Sequence, residues 1–128
     1  MIIGIGTDIV VIERIEKNIA RFGSAFLQKI LTPAELAQMP ANAKRQAEWA
    51  AARFACKEAC VKALGTGFSE GIAPAHIQIL RDEGKAPVLT LLAKAKEKAD
   101  SLGVTRCFVS HSHEKNHTAV AFVILSQQ

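Results

Sequence analysis

The sequence predicts an α+β domain in which a mainly antiparallel sheet packs against one long central helix. Three observations carry this expectation. Residues 2–8 form an apolar, β-branched opening stretch; an alanine-rich run without Gly or Pro extends from 43 to 64; and two strand-like stretches, 104–113 and 118–125, flank a short polar turn. At 128 residues the chain fits one domain, taken here as 1–128, with no room for a second core.

The elements follow in order. Residues 2–8 read as a strand ending at Thr7-Asp8, and Ile12, Ile15, Ile19 and Phe22 then recur at helical spacing up to Gly23. Thr32-Pro33-Ala34-Glu35 is a capping box with proline at the first helical position, and it opens a short helix ending near Pro40. Asn42 caps the long helix, and Gly65 terminates it. Thr66 to Gly71 reads as loop. Residues 75–81 and 87–91 read as strands around the turn Asp82-Glu83-Gly84-Lys85. Residues 92–102 return to helical composition, and the last two strands are joined by Glu114-Lys115-Asn116-His117. The expected order is β-α-α-α-β-β-α-β-β.

Composition narrows the partners. Nearly half of the residues are hydrophobic, so the chain buries a core, and no uninterrupted apolar run approaches the roughly 20 residues that span a bilayer. The amino terminus lacks a basic region before its apolar stretch, and the cysteines Cys56, Cys60 and Cys107 are odd in number, so a cytoplasmic protein without disulfides is expected. Net charge is +4 and the pI is about 9.2, a balance that favours acidic or phosphorylated partners.

Four groups of residues carry possible chemistry. Asp8 leaves an apolar strand after Gly4-Ile5-Gly6, where a carboxylate either caps the next helix or ligates a hard cation. Glu58 and Lys62 lie one turn apart, in the order that favours an ion pair, among Phe54, Ala55, Ala59, Cys60, Val61 and Leu64. In Ser110-His111-Ser112-His113, strand periodicity puts the serines on one face and the histidines on the other. The two imidazoles, with His117 across the turn, are compatible with a zinc pair, with an anionic substrate or with plain polarity. Basic residues gather on two helices: Arg14, Lys17 and Arg21 on the first, Arg45, Arg53 and Lys57 on the long one. They either solvate a face or receive an acidic protein, and no nucleic-acid-binding motif accompanies them.

Taken together, these residues resemble the holo-acyl-carrier-protein synthase family of phosphopantetheinyl transferases. The stretches that carry the resemblance are GIGTDIVVIERI at 4–15, ILTPAEL at 30–36, RFACKEACVKALGTG at 53–67, GKAPVL at 84–89 and VSHSHEKNHTAVAFVIL at 109–125. The resemblance implies magnesium held by Asp8 and Glu58, with Lys62 on substrate phosphate. It implies coenzyme A contacts from Ser112 and His113, with Arg53, Lys57, Gly84 and Pro87 in the same matched stretches. Homotrimers with active sites shared between neighbours are implied as well. Where this family usually has an aliphatic residue between the two serines, this chain has His111, so either histidine can be the functional one. The implied reaction moves phosphopantetheine from coenzyme A to a serine of an acyl carrier protein, releasing 3′,5′-ADP, in support of fatty acid biosynthesis. Glu58, directly or through water, or else His113, takes the serine proton. Acyl carrier proteins are acidic, and Arg14 and Arg21, seven residues apart on one side of the first helix, form the expected docking surface. The rival readings are a thioesterase or dehydratase, which needs no Asp8–Glu58 metal pair, and a basic nucleic-acid-binding module.

Overall fold

β-Branched residues continue past Asp8, and the first strand continues with them: β1 spans Ile2–Val11 and runs straight into helix α1, Ile12–Phe22. The structure is a computed structural model and describes residues 1–115 and 117–128. A second helix that the sequence pattern did not announce, α2 (Ser24–Ile30), follows Gly23, whose φ of 58° makes the sharp turn between the two. It has no side-chain cap, which is why no start signal marked it. The capping box then closes as expected: the Thr32 hydroxyl accepts from the Glu35 N–H, and Glu35 accepts from the Thr32 N–H. The helix it opens, α3 (Pro33–Leu36), is a single turn rather than a helix reaching Pro40.

Helix α4, Ala43–Leu64, is the centre of the molecule. Asn42 accepts from the N–H groups of Lys44 and Arg45, and Gly65 ends the helix in the left-handed conformation. After a 3₁₀ turn at Pro74–His76 come β2 (Ile77–Leu80), β3 (Val88–Leu91), α5 (Ala93–Leu102), β4 (Arg106–His113) and β5 (Thr118–Ser126). The strands make two antiparallel sheets, a three-stranded one in the order β1-β5-β4 and a two-stranded one of β2 and β3. Asn116, in the turn expected between the last two strands, lies outside the described residues.

The larger sheet presses one face on α4. Gly4 and Gly6 make this possible, because a Cβ at either would overlap the carbonyl oxygen of Ala63 or Ala59. Strand periodicity and register then assign the faces. Gly6, Asp8 and Val10 sit opposite Val123, Ala121 and Ala119, which in turn pair with Val109, His111 and His113, and this whole set faces the helix. Small helix residues, among them Ala55, Cys56, Ala59 and Cys60, are themselves fully buried and complete the core. Burial pushes the Cys56 thiol up to about 12, which keeps it a neutral packing group. The opposite face of the sheet leaves Ile5, Ile9, Val11, Phe108, Phe122 and Ile124 exposed.

One polar knot lies inside. Glu35 and Lys57 are both 0% exposed and pair at 2.6 Å. Glu35 also accepts from the Ile79 N–H at 2.9 Å, and Lys57 donates to the Pro74 carbonyl at 3.0 Å. This ties α3, α4, β2 and the 3₁₀ turn together with few charged valences left unmet. The Lys57 ammonium, placed among the ligand-contacting residues by the resemblance, is enclosed and engaged in this geometry.

Candidate functional site

The first site cluster follows from the close approach of β1 to α4. Gly6 lets the strand descend onto the helix, and two residues later Asp8 points at the last turns of α4. There Lys62 Nζ donates to Asp8 Oδ1 at 2.9 Å and to the Thr7 carbonyl at 3.1 Å. The Lys62 pKa is raised chiefly by that hydrogen bond and by the charge of Asp8. Sequence spacing favoured a Glu58–Lys62 pair, but the ammonium turns across to the strand, and Glu58 is left facing the same carboxylate. Partial burial and then the nearby Asp8 charge raise the Glu58 pKa, while Lys62 and Arg14 oppose the rise. Two carboxylates that repel one another, on separate rigid elements, form the donor set that a hard dication takes. No three His, Cys, Asp or Glu side chains converge as a metal cluster among the described residues.

The second cluster lies toward the start of α4. Arg45, Glu48, Trp49 and Arg53 recur at helical spacing on one face and line a cleft of about 210 Å³ with Arg81, His111 and His113. His113 Nε2 lies 3.3 Å from the Glu48 carboxylate. Arg53, only 4% exposed, stacks on the Trp49 ring with 4.9 Å to its centroid. Arg81 is held by its Nε–H, which donates to the Lys85 carbonyl at 2.7 Å. Burial, then Arg53, Arg81 and His113, push His111 down to about 4, so it is neutral amid cations. Among the described residues, Arg53 Nε and His111 Nε2 are the buried side-chain polar atoms without a hydrogen-bond partner. Gly84 borders an adjoining cleft of about 510 Å³ shared with Arg45, Arg53 and Arg81. A concentration of guanidinium groups with an imidazole is suited to an oxyanion.

The structure divides the expected residues between these clusters. Asp8, Glu58 and Lys62 stand together with Arg14 nearby; Arg53 and His113 belong to the arginine cleft, and Gly84 to the cleft adjoining it. Ten residues of α4 separate Glu48, which holds His113, from Glu58, about 15 Å along the axis at the usual helical rise. Glu58, Lys62 and His113 thus do not meet within one chain. Ser112 is exposed on the sheet face opposite His113, and Pro87 is half-buried before β3 and does not line the cleft. Arg21 is exposed and stacks on Phe22 at 5.0 Å. Beside it, Phe22, Phe26, Phe54 and Phe68 line an apolar groove of about 560 Å³. Sequence reasoning missed that groove and the roles of Glu48 and Arg81. The helical spacing of Arg45, Glu48, Trp49 and Arg53 was the available signal for the cleft, whereas Arg81 arrives from a distant turn.

Comparison with known proteins adds to this geometry. Residues 4–122 match the model of the 4′-phosphopantetheinyl transferase superfamily. The chain is 49% identical over 125 residues to holo-[acyl-carrier-protein] synthase of Desulfovibrio desulfuricans, covering 98% of each chain. Its fold is similar to the holo-[acyl-carrier-protein] synthase of Neisseria meningitidis (TM-score 0.86, 39% identity, 99% of this chain and 100% of that one). It is likewise similar to the Helicobacter pylori enzyme of that name in complex with coenzyme A (TM-score 0.80, 38% identity, 95% and 99%).

Proposed function

The chain belongs to the holo-[acyl-carrier-protein] synthase family of phosphopantetheinyl transferases, and from that premise we propose that it transfers 4′-phosphopantetheine from coenzyme A to a serine of an apo acyl carrier protein, with magnesium, in the cytoplasm and in support of fatty acid biosynthesis. The observation that carries the reading is the meeting of Asp8 and Glu58 at the junction of β1 and α4, with Lys62 between strand and helix.

The serine oxygen forms a bond to the β-phosphorus of coenzyme A. The bond from that phosphorus to the bridging oxygen breaks, and its electron pair leaves on 3′,5′-ADP. Asp8 and Glu58 would hold magnesium, which when bound would supply charge neutralisation for the phosphoryl transfer. Lys62 has a half-exposed side chain on Asp8 and can turn to the pyrophosphate as a point charge. Glu58 takes the serine proton, directly or through water. With Lys62 on the pyrophosphate, the remaining dianion of the donor, its ribose 3′-phosphate, is assigned to Arg45, Arg53 and Arg81.

One chain keeps these two clusters apart, and self-association resolves the separation. The exposed apolar face of Ile5, Ile9, Val11, Phe108, Phe122 and Ile124 is the surface we assign to a homotrimer. A neighbour's arginine cleft, with His113, then completes each acid pair, and Ser112 on the outer face reaches that boundary. The carrier docks on α1, where Arg14 and Arg21 attract its acidic surface and the phenylalanine groove receives apolar side chains. Among the described residues no helix is long and apolar enough to cross a membrane.

The test is mass spectrometry of an apo carrier incubated with coenzyme A and magnesium. The carrier gains the mass of one phosphopantetheine group, and chelation of the metal abolishes the gain. An unmodified carrier, or modification indifferent to the chelator, contradicts the reading.

A further inference from the structure

Buried polar groups in folded proteins are almost always satisfied, so two that are not, in one cleft, require an explanation. Arg53 Nε and His111 Nε2 are such groups, and both residues line the same cavity of about 210 Å³. A neutral imidazole carries one donor and one acceptor nitrogen. With guanidinium groups of Arg53 and Arg81 around it, the unprotonated nitrogen is the one favoured toward them. Arg53 Nε–H is a donor with nothing to donate to, and His111 Nε2 is then an acceptor with nothing to accept. One O–H group between them satisfies both, and the cavity is polar and large enough for a water.

We propose that His111 is a positioning residue for the arginine cleft: its Nε2 fixes Arg53 through one shared water molecule, so that the outer N–H groups of the guanidinium face the donor's 3′-phosphate. This rests on the reading of the cleft given above. Arg53 is then located on three sides, by stacking on Trp49, by the helix that carries it and by His111 on β4. Rigid placement matters because a guanidinium recognises phosphate through paired N–H groups whose direction is fixed. The neutrality of His111 fits the same role. A charged imidazole there donates rather than accepts and repels Arg53.

The experiment compares wild type with His111→Leu, His111→Val and His111→Gln, using coenzyme A and 3′-dephospho-coenzyme A as donors. The aliphatic variants are expected to raise KM for coenzyme A about five-fold, the value of one modest hydrogen bond. Their kcat and their KM for the dephospho donor stay within two-fold. The glutamine variant, which restores an acceptor, returns KM to within two-fold of wild type. Trp49 is the only tryptophan, and its stacking on Arg53 makes its emission a second readout. That emission shifts in the aliphatic variants before any ligand is added, and titration with 3′,5′-ADP is weaker. An unchanged KM and emission, an equal loss with both donors, or a glutamine variant as impaired as leucine overturns the proposal. Arg53→Ala separates the two levels of the argument. If it discriminates between the donors and His111→Leu does not, only the positioning role falls. If Arg53→Ala does not discriminate, the assignment of the cleft falls as well.

Discussion

Replacing Lys57 by Met separates a structural lysine from a substrate-binding one. Lys57 and Glu35 are both fully enclosed and paired at 2.6 Å, and Glu35 also receives the N–H groups of Thr32 and Ile79. Methionine nearly matches the volume but leaves the Glu35 carboxylate buried without its cation. Breaking a buried pair in this way costs about 3–5 kcal/mol. For a domain of this size that corresponds to a Tm lowered by roughly 10–20 °C. Burial lowers the Lys57 pKa and the Glu35 charge opposes the fall, so the pair's strength lies in mutual satisfaction rather than in solvent-exposed charge. Thermal unfolding by circular dichroism measures the loss, and donor kinetics below the transition measure the consequence for binding. KM for coenzyme A stays within two-fold in Lys57→Met. The double variant Lys57→Met/Glu35→Gln recovers part of the Tm, because no uncompensated charge remains. A Lys57→Met protein with wild-type Tm and a raised KM refutes the reasoning and returns Lys57 to the ligand.

Three further outcomes follow from other parts of the molecule. Charge reversal at Arg21 raises the carrier KM several-fold at low salt, with a difference that shrinks as salt rises, and leaves coenzyme A kinetics intact; Arg14→Glu also lowers kcat, because Arg14 lies within electrostatic reach of Glu58. His111 makes stability depend on pH. Its folded pKa of about 4 lies below the ordinary 6.5, so the unfolded chain binds more protons between those values. The contribution is whole above about 6.5 and is lost as pH falls toward 4, and His111→Leu flattens that part of the Tm-versus-pH curve; identical slopes contradict it. Phe122→Asp, on the exposed sheet face, is expected to dissociate the proposed homotrimer in analytical ultracentrifugation and to remove activity while the fold persists by circular dichroism; a variant that sediments as wild type contradicts the assignment of that face.

What the sequence made legible was whatever rests on local chemistry. Asn42 and Gly65 delimited α4 because caps act on adjacent backbone, and Thr32-Pro33-Ala34-Glu35 announced its helical turn for the same reason. Strand alternation correctly put His111 and His113 on one face and the serines on the other. The losses came where partners are distant in sequence. Nothing local reveals that Glu35 completes its capping box and also receives Lys57 from twenty-two residues away, so Lys57 read as an available cation. Lys62 likewise chose Asp8, fifty-four residues away, over Glu58 one turn behind it. Helix α2 escaped because Gly23 both ends one helix and begins the next without a side-chain cap. Within the site, the acid pair was legible from residue type and motif. The arginine cleft was half legible: α4 supplies its regular face, while Arg81 and the orientation of His111 depend on how the strands fold over it.

Manganese binding followed by electron paramagnetic resonance tests, without relying on turnover, whether Asp8 and Glu58 hold one divalent cation between them. The wild-type protein is predicted to bind one Mn²⁺ per chain, and Asp8→Asn and Glu58→Gln each to lose that binding while keeping their fold. Removing the Glu58 charge also relieves its repulsion with Asp8, so Glu58→Gln is no less stable than wild type at neutral pH. Wild-type manganese affinity in either variant contradicts the claim.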